Sequence, residues 1–259
     1  MNGRRSSVAI GFLALIVVGA FLLFMPWARA SGTCGDVSSS LFTACSAVCV
    51  TGLTVVDVGT EFSRAGQIVL LALVEVGCLG LMTCGTFLLI AIGRRLSLSR
   101  EFSLMNAYGV AEIHGLKSLI CWVVGSMLVI EGLCAVLLYV RLRDVYESVF
   151  YSIMGFCNAG FSLRADSLAA FQDDPWVVLT LALETILGGI GFLVIYNLCT
   201  FRFLRRTAGG RGRLSLHTRV VLRFTFWLLL IAFVLFLGVE WRGTLAGFPL
   251  VKSVYVAFS

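Results

Sequence analysis

Five apolar segments, each long enough to cross a bilayer as a helix, constrain this chain more than any other feature of its sequence. They lie near Val8 to Trp27, Gly66 to Ile92, Leu116 to Tyr139, Trp176 to Phe201 and Val220 to Val239. A hydrocarbon core of about 30 Å is crossed by roughly 20 helical residues. Because 59% of the residues are hydrophobic and only 13% are charged, the chain lacks the polar surface of a soluble domain. We therefore predict an all-α integral membrane protein.

Two stretches of intermediate hydrophobicity between these spans are copies of one another. Shifted by 108 positions, "DVSSSLFTACSAVCVTGLTV" (36 to 55) falls without a gap on "DVYESVFYSIMGFCNAGFSL" (144 to 163), so that Gly52 meets Gly160. The helices that follow also match after an insertion of three residues, with "GCLGLM" (77 to 82) on "GGIGFL" (188 to 193). The repeated unit is thus a helix, a re-entrant segment and a second helix.

The re-entrant segments predict a pore. Non-helical backbone at membrane depth is tolerated only where it is buried in protein or lines a water-filled path. A pore helix from about Asp36 to Val48 would direct its partially negative C-terminal end towards a cation at the strand that follows. In that strand, backbone carbonyls can replace a hydration shell, and a glycine leaves the lumen free of side chains. The second copy offers the same backbone at Cys157 to Gly160.

These segments carry a family resemblance. "SAVCVTGLTVVDVGTEFSRAGQIVLLALVEVGCLGLMT" (46 to 83) resembles the first pore segment and following helix of the Trk/Ktr/HKT superfamily, and "GFCNAGFSL" (155 to 163) resembles its second pore segment. The resemblance implies the ion-translocating subunit of a potassium uptake system, with four repeats around one central pore. It implies a selectivity filter in which backbone carbonyls hold potassium, formed here by Val50, Thr51, Gly52, Asn158, Ala159 and Gly160. No cofactor is expected besides the transported K⁺.

The resemblance also implies partners and a location. Family members dimerise and dock on a cytoplasmic ring of nucleotide-binding regulatory subunits of the TrkA/KtrA type, so we expect these partners and the lipid bilayer, but no nucleic acid. With a cytoplasmic N-terminus, thirteen of the twenty Lys and Arg residues fall on the inner side, as the positive-inside rule requires. We expect a multi-pass protein of the bacterial cytoplasmic membrane, with basic inner loops near residues 94–100 and 202–213 facing the regulatory ring.

The repeats divide the chain into three parts. Residues 1–115 form the first helix, pore loop and helix unit, residues 116–215 form the second, and residues 216–259 begin a third. "VKSVYVAFS" (251 to 259) resembles the start of the earlier pore helices. Since two repeats and the beginning of a third leave a four-fold pore incomplete, we expect a fragment of a four-repeat protein, the product of a frameshifted or split gene, or subunits that combine.

Other functions remain alternatives at this stage. A secondary transporter for sodium or another solute would also use broken helices near the midplane. Inverted repeats would alternate in topology, however, whereas these two copies run in the same sense. Channel-like conduction and coupling to protons or sodium stay open. An enzyme is not expected, because no His, Asp or Ser constellation has usable spacing. Ala28-Arg29-Ala30 imitates a signal-peptide cleavage site, but the preceding apolar run exceeds the roughly 7 to 15 residues of such peptides.

Some residues inside the predicted helices have a structural and a functional interpretation. Glu75, Glu131 and Glu184 do not align between the repeats, so interior polar contacts are favoured over a role in the ion path. Five glycines are interpreted as helix-packing sites, namely Gly77, Gly80, Gly188, Gly189 and Gly191. The nine cysteines show no CxxC pair or metal spacing and are interpreted as buried, inert thiols.

Overall fold

The computed structural model describes residues 2–92, 112–207 and 216–240, and these ranges are built from helices. In chain order the α-helices are α1 (Asn2–Phe24), α2 (Val37–Val48), α3 (Val58–Glu61), α4 (Arg64–Ile92), α5 (Glu112–Leu142), α6 (Val145–Cys157), α7 (Pro175–Ile190), α8 (Phe192–Thr207) and α9 (Leu216–Glu240). Short 3-10 helices cover Pro26–Ala28 and Ser167–Phe171. Apart from one isolated bridge between Arg29 and Phe62, these ranges contain no β-structure, which confirms the all-α prediction.

Several of these helices have the length and composition of membrane spans. Within the described residues, Cys121–Leu142 and Leu216–Phe236 are long and apolar enough to cross a bilayer alone. Pro175–Ile190 and Phe192–Cys199 make a third span if the bent pair is counted as one. Ala9–Phe24 and Val37–Val48 are shorter apolar helices.

The internal repeat in the sequence is also a repeat in the fold. Helix α2 packs between α1 and α4, and α6 packs between α5 and α7 in the same way. Asp36 and Asp144 cap α2 and α6, each accepting a hydrogen bond of 2.9 Å from the backbone N–H three residues further on. The hydroxyls of Ser40 and Ser148 donate to the backbone carbonyls of the same two aspartates, at 2.8 and 2.6 Å. Both pore helices therefore begin through the same local chemistry, 108 residues apart.

Polar contacts and close packing hold the two repeats together. The Tyr146 hydroxyl donates to Gln67 Oε1 at 2.8 Å, and the Arg64 guanidinium lies 4.0 Å from the centroid of the Tyr146 ring. Gly59 lies so close to the Leu163 carbonyl that a Cβ at Gly59 would overlap it. Helices α4 and α6 contact each other and share one apolar core. These contacts bring the chain that follows α2 next to the chain that follows α6.

Arg29 connects the end of α1 to the start of the first pore helix. Its guanidinium donates to the Leu23 carbonyl at 3.1 Å and to Glu61 Oε1 at 2.6 Å. It also donates to the hydroxyls of Ser39 and Ser40 at 3.2 and 2.8 Å. With 3% of its surface exposed, Arg29 is buried, although the sequence suggested only a cleavage-like motif there.

The fourth predicted span, residues 176–201, is not one straight helix. Gly191 has a φ of 87° and a ψ of 146°, outside the helical region, and the axes of α7 and α8 meet there at 93°. Glycine adopts such angles without a steric penalty. Among the described residues, no atom lies within 4 Å of the Cβ position of Gly189 or Gly191, so their interpretation as packing sites stays a prediction.

The interpretation of the cysteines as buried thiols is correct only in part. The eight cysteines whose side chains the structure describes are free, and Cys78, Cys134 and Cys157 are buried. Cys49 is partly buried, and four others are exposed, namely Cys34, Cys45, Cys121 and Cys199. Cys34 lies in the polar stretch before α2, whereas Cys45 lies on α2 itself, and the apolar character of a cysteine side chain does not indicate the exposure of either position.

Three predictions fall on residues outside the described ranges. They are the basic loop near residues 94–100, part of the basic loop near 202–213, and the start of a third pore helix at 251–259. Helix α5 begins at Glu112, close to the predicted boundary between the first and second repeats. The boundaries at residues 115 and 215 stay predictions.

Candidate cation filter

Helices α2 and α6, which the sequence predicts to line a pore, end in the same unusual backbone conformation. Val50 and Asn158 have φ values of 53° and 57°, in the left-handed region that non-glycine residues rarely adopt. Two residues further on, Gly52 and Gly160 both have a φ of 73°. Because 108 residues separate the members of each pair, the sequence repeat specifies the same chain path twice.

Hydrogen bonds at the helix ends explain this path. Val50 and Asn158 each donate their N–H to the carbonyl three residues back, at 3.2 Å. Thr51 and Ala159 each donate to the carbonyl five residues back, at 2.9 Å. This pair of bonds is a Schellman motif, which satisfies carbonyls that the helix end would leave unpaired. The chain then leaves each helix abruptly, and Gly52 and Gly160 follow outside the helical hydrogen-bonding pattern.

The two glycines lie against each other. A Cβ at Gly52 would lie 2.7 Å from the Ala159 carbonyl oxygen and 3.1 Å from the Gly160 Cα. A Cβ at Gly160 would lie 3.1 Å from the Gly52 Cα. Since positive φ and the lack of space both disfavour a side chain, these two positions require glycine. The structure therefore brings Gly52, Ala159 and Gly160 together, with Val50, Thr51 and Asn158 immediately before them in the chain.

The polar side chains of these segments are held by the surrounding protein. Thr51 Oγ1 is 3.0 Å from Ser46 Oγ, to which it donates. Asn158 Nδ2 donates to the Phe156 carbonyl at 3.2 Å and to the Thr185 carbonyl at 3.3 Å. The side chains are thus tied back to the pore helices and α7. What the two segments offer a ligand in common is their main chain.

The second helix of each repeat supports the end of its pore helix through a glycine. Gly77 of α4 lies against the Val48 carbonyl, and Gly188 of α7 lies against the Phe156 carbonyl, so closely that a Cβ would overlap either oxygen. Gly80 packs against the Phe12 ring. The packing interpretation is confirmed for these three glycines. Because the C-terminal end of a helix carries partial negative charge, this packing fixes two such ends beside the two glycine segments.

Behind the second pore helix lies a buried polar cluster. Glu184 of α7 is fully buried, and its Oε1 lies 2.5 Å from the hydroxyl oxygen of Ser152 on α6. Glu131 of α5 is also buried. The predicted interior polar contact is therefore confirmed for Glu184, whereas the sequence did not indicate Ser152. In the described part of the chain, no group of three or more His, Cys, Asp or Glu side chains is arranged to hold a metal ion.

Comparison with known proteins gives consistent results. The TrkH family profile, described as "Cation transport protein", matches residues 6–246. The chain is 38% identical over 242 residues to the Ktr system potassium uptake protein B of Vibrio alginolyticus, covering 91% of this chain and 52% of that protein. It is 33% identical over 262 residues to the protein of the same name from Bacillus subtilis, covering 97% and 56%.

A further relative has a broader name. The potassium/sodium uptake protein NtpJ of Enterococcus hirae is 32% identical over 243 residues, covering 91% of this chain and 52% of that protein. The chain thus spans about half the length of the curated relatives it matches. Since the family profile covers most of the chain, and its apolar helices agree with that match, the chain belongs to the TrkH family of cation transport proteins.

Proposed function

We propose that this protein takes up potassium across the bacterial cytoplasmic membrane, and that its two glycine segments are two walls of the selectivity filter. One observation carries the proposal: Gly52 and Gly160, each at the end of a pore helix and each with a φ of 73°, lie against one another. Main-chain carbonyls of Val50 to Gly52 and of Asn158 to Gly160 then coordinate the ion in place of its water shell.

The chemistry of the segments favours a monovalent cation. None of the six residues carries a charge, so the ion meets only carbonyl dipoles and the negative ends of α2 and α6. Divalent cations usually bind where carboxylates contribute to the ligand set. The names of the relatives support potassium, and the name potassium/sodium uptake protein keeps sodium as the second candidate.

Two glycine segments cannot surround an ion, so further walls complete the filter in this proposal. They come from further repeats of a four-repeat protein or from a second subunit. A homodimer with the N-terminus in the cytoplasm, bound to cytoplasmic nucleotide-binding regulatory subunits, completes the proposed assembly. The resemblance to Trk and Ktr systems and the distribution of basic residues support this arrangement.

Uptake by filter variants tests the proposal. The protein is expressed from its complete coding region in bacteria that lack their own potassium uptake systems, and uptake of radioactive rubidium and sodium is measured. We expect Gly52→Ala and Gly160→Ala to lower rubidium uptake about tenfold or more, which corresponds to roughly 1.4 kcal/mol of lost ion stabilisation. The physical reason is that either Cβ displaces the backbone of the neighbouring segment.

Gly32→Ala is the matched control. Gly32 has a φ of 67°, close to that of the filter glycines, but no described atom lies within 4 Å of its Cβ position. The control therefore introduces similar backbone strain without the collision, and we expect rubidium uptake close to that of the unmodified protein. Unchanged rubidium uptake and an unchanged rubidium-to-sodium ratio in both filter variants, at equal amounts in the membrane, would refute the filter assignment.

A further inference from the structure

Three glutamates from three helices meet behind the second pore helix. Glu75 lies on α4, Glu131 on α5 and Glu184 on α7. The carboxyl groups of Glu75 and Glu131 lie within hydrogen-bonding reach of each other, and Glu131 also lies near Glu184. Glu131 has 5% of its surface exposed and Glu184 has none, whereas Glu75 is half-buried.

Neither buried carboxyl group has a cationic partner in the described part of the chain. The ion pairs found there involve other acidic residues. Glu131 Oε1 and Glu184 Oε2 are buried and receive no hydrogen bond within the described ranges, and Glu184 Oε2 faces Gly155, which has no side chain to donate one. An unpaired buried carboxylate costs several kcal/mol. Protons can neutralise both groups without any further partner.

The contacts of Ser152 agree with a proton on Glu184. Its hydroxyl oxygen lies 2.7 Å from the Glu131 backbone carbonyl and 2.5 Å from Glu184 Oε1. A serine hydroxyl has a single hydrogen to donate, and a backbone carbonyl can only accept. If Ser152 donates to Glu131, the contact with Glu184 is a hydrogen bond only when the Glu184 carboxyl group is protonated and donates to Ser152. The contact between Glu75 and Glu131 likewise needs a proton, because two carboxylates cannot donate to each other.

The first repeat has a pair of apolar side chains where the second repeat has Ser152 and Glu184. Under the alignment of the repeats, Ser152 corresponds to Ala44 and Glu184 corresponds to Leu73. Both residues of the first repeat are buried, and both lie beside Gly19 of α1. The fold of a repeat therefore does not require a carboxyl group at this place. Burial of Glu184 in the second repeat costs desolvation free energy, although the apolar pair of the first repeat fills the equivalent space without that cost.

We propose that Glu131 and Glu184 form a proton-binding site behind the second pore helix, with one proton on Glu184 donated to Ser152 and another shared between Glu131 and Glu75. The titratable groups facing this site are Glu75 and Cys78 from α4, Cys134 from α5 and Cys157 from α6. Because Ser152 belongs to α6, the charge of the site acts on the helix that ends at the Asn158 to Gly160 segment. The site goes beyond the proposed filter, since it binds a different ion through side chains.

Infrared spectroscopy detects the protons directly. The chain is placed in lipid vesicles near pH 7, where ordinary carboxyl groups with a pKa of about 4 are ionised. We expect the C=O stretching band of protonated carboxylic acids in the unmodified chain. We expect Glu184→Gln, which has the shape of the protonated acid, to lose the component contributed by Glu184. The control Glu147→Gln should leave the band unchanged, because Glu147 is paired with Arg164 at 2.8 Å.

A second variant covers the case in which Glu184→Gln does not fold. The double change Ser152→Ala with Glu184→Leu copies the apolar pair of the first repeat, and we expect it to fold and to lose the same band component. A spectrum of the unmodified chain without a carboxylic acid band overturns the proposal, and so does a band that stays unchanged in the folded variants. The measurement involves no ion transport, so its failure leaves the potassium filter untouched, and failure of the uptake test leaves this site untouched.

Discussion

Replacement of Arg29 by alanine is expected to destabilise the protein far more than the same change at Arg164. The two arginines form similar contacts: Arg29 pairs with Glu61 at 2.6 Å, and Arg164 pairs with Glu147 at 2.8 Å. Each guanidinium also lies 4.7 Å from the centroid of a phenylalanine ring. They differ in burial, because 1% of the Arg29 side chain is exposed, compared with 44% of the Arg164 side chain.

The magnitude follows from what each change leaves behind. Arg29→Ala removes buried donors from the Leu23 carbonyl and from the hydroxyls of Ser39 and Ser40. Breaking a buried charge network costs roughly 3 to 5 kcal/mol. Since 46% of the Glu61 side chain is exposed, water screens that partner and the loss falls near the lower limit, at about 3 kcal/mol. An exposed pair such as that of Arg164 contributes about 0 to 1 kcal/mol.

Equilibrium unfolding in mild detergent, followed by circular dichroism, measures both changes. We expect the free energy of unfolding to fall by about 3 kcal/mol for Arg29→Ala and by less than about 1 kcal/mol for Arg164→Ala. Arg29→Lys should also lose stability, because an ammonium group cannot reproduce the planar set of donors. Equal losses for Arg29→Ala and Arg164→Ala would refute the conclusion that burial of Arg29 anchors the first pore helix.

Two further predictions use the same unfolding measurement. Gly188→Ala should cost about 1 to 3 kcal/mol, because its Cβ would overlap the Phe156 carbonyl. Gly189→Ala should be neutral or stabilising by up to about 1 kcal/mol, because no described atom lies near its Cβ position. A similar loss for both changes would contradict the packing described here. Asp144→Ala should cost about 0.5 to 2 kcal/mol by removing the cap of α6, whereas Asp166→Ala, at a 3-10 helix without a side-chain cap bond, should cost less than about 0.5 kcal/mol. Equal effects of the two aspartate changes would show that the Asp144 cap contributes nothing.

The repeated stretches of intermediate hydrophobicity allowed the helix now seen as α2 to be predicted from the sequence. It was predicted from Asp36 to Val48, and the structure has it at Val37–Val48 with Asp36 as its cap. An aspartate before an apolar run is a strong start signal, because its side chain accepts a hydrogen bond from the first turn. The repeat added long-range information, since equivalent segments of neighbouring units come together, as Gly52 and Gly160 do.

Other features depend on tertiary surroundings that the sequence does not show. Glycine in an apolar helix is compatible with close packing, as at Gly188, and with a break, as at Gly191, and composition cannot separate the two. Arg29 stands in a polar stretch between helices, where most basic side chains are solvated, and its burial follows only from partners far along the chain. The contact between Ser152 and Glu184 could not be predicted from the repeat, because the equivalent residues of the first repeat are apolar.

Thallium scattering tests the central assignment most directly, because Tl⁺ resembles K⁺ in charge and size and can be located by its anomalous signal. The protein is expressed from its complete coding region and crystallised, and the crystals are soaked in a thallium salt. We predict anomalous peaks beside the backbone carbonyls of Val50 to Gly52 and of Asn158 to Gly160. Bound thallium elsewhere in the protein, with none between these two segments, would contradict the filter.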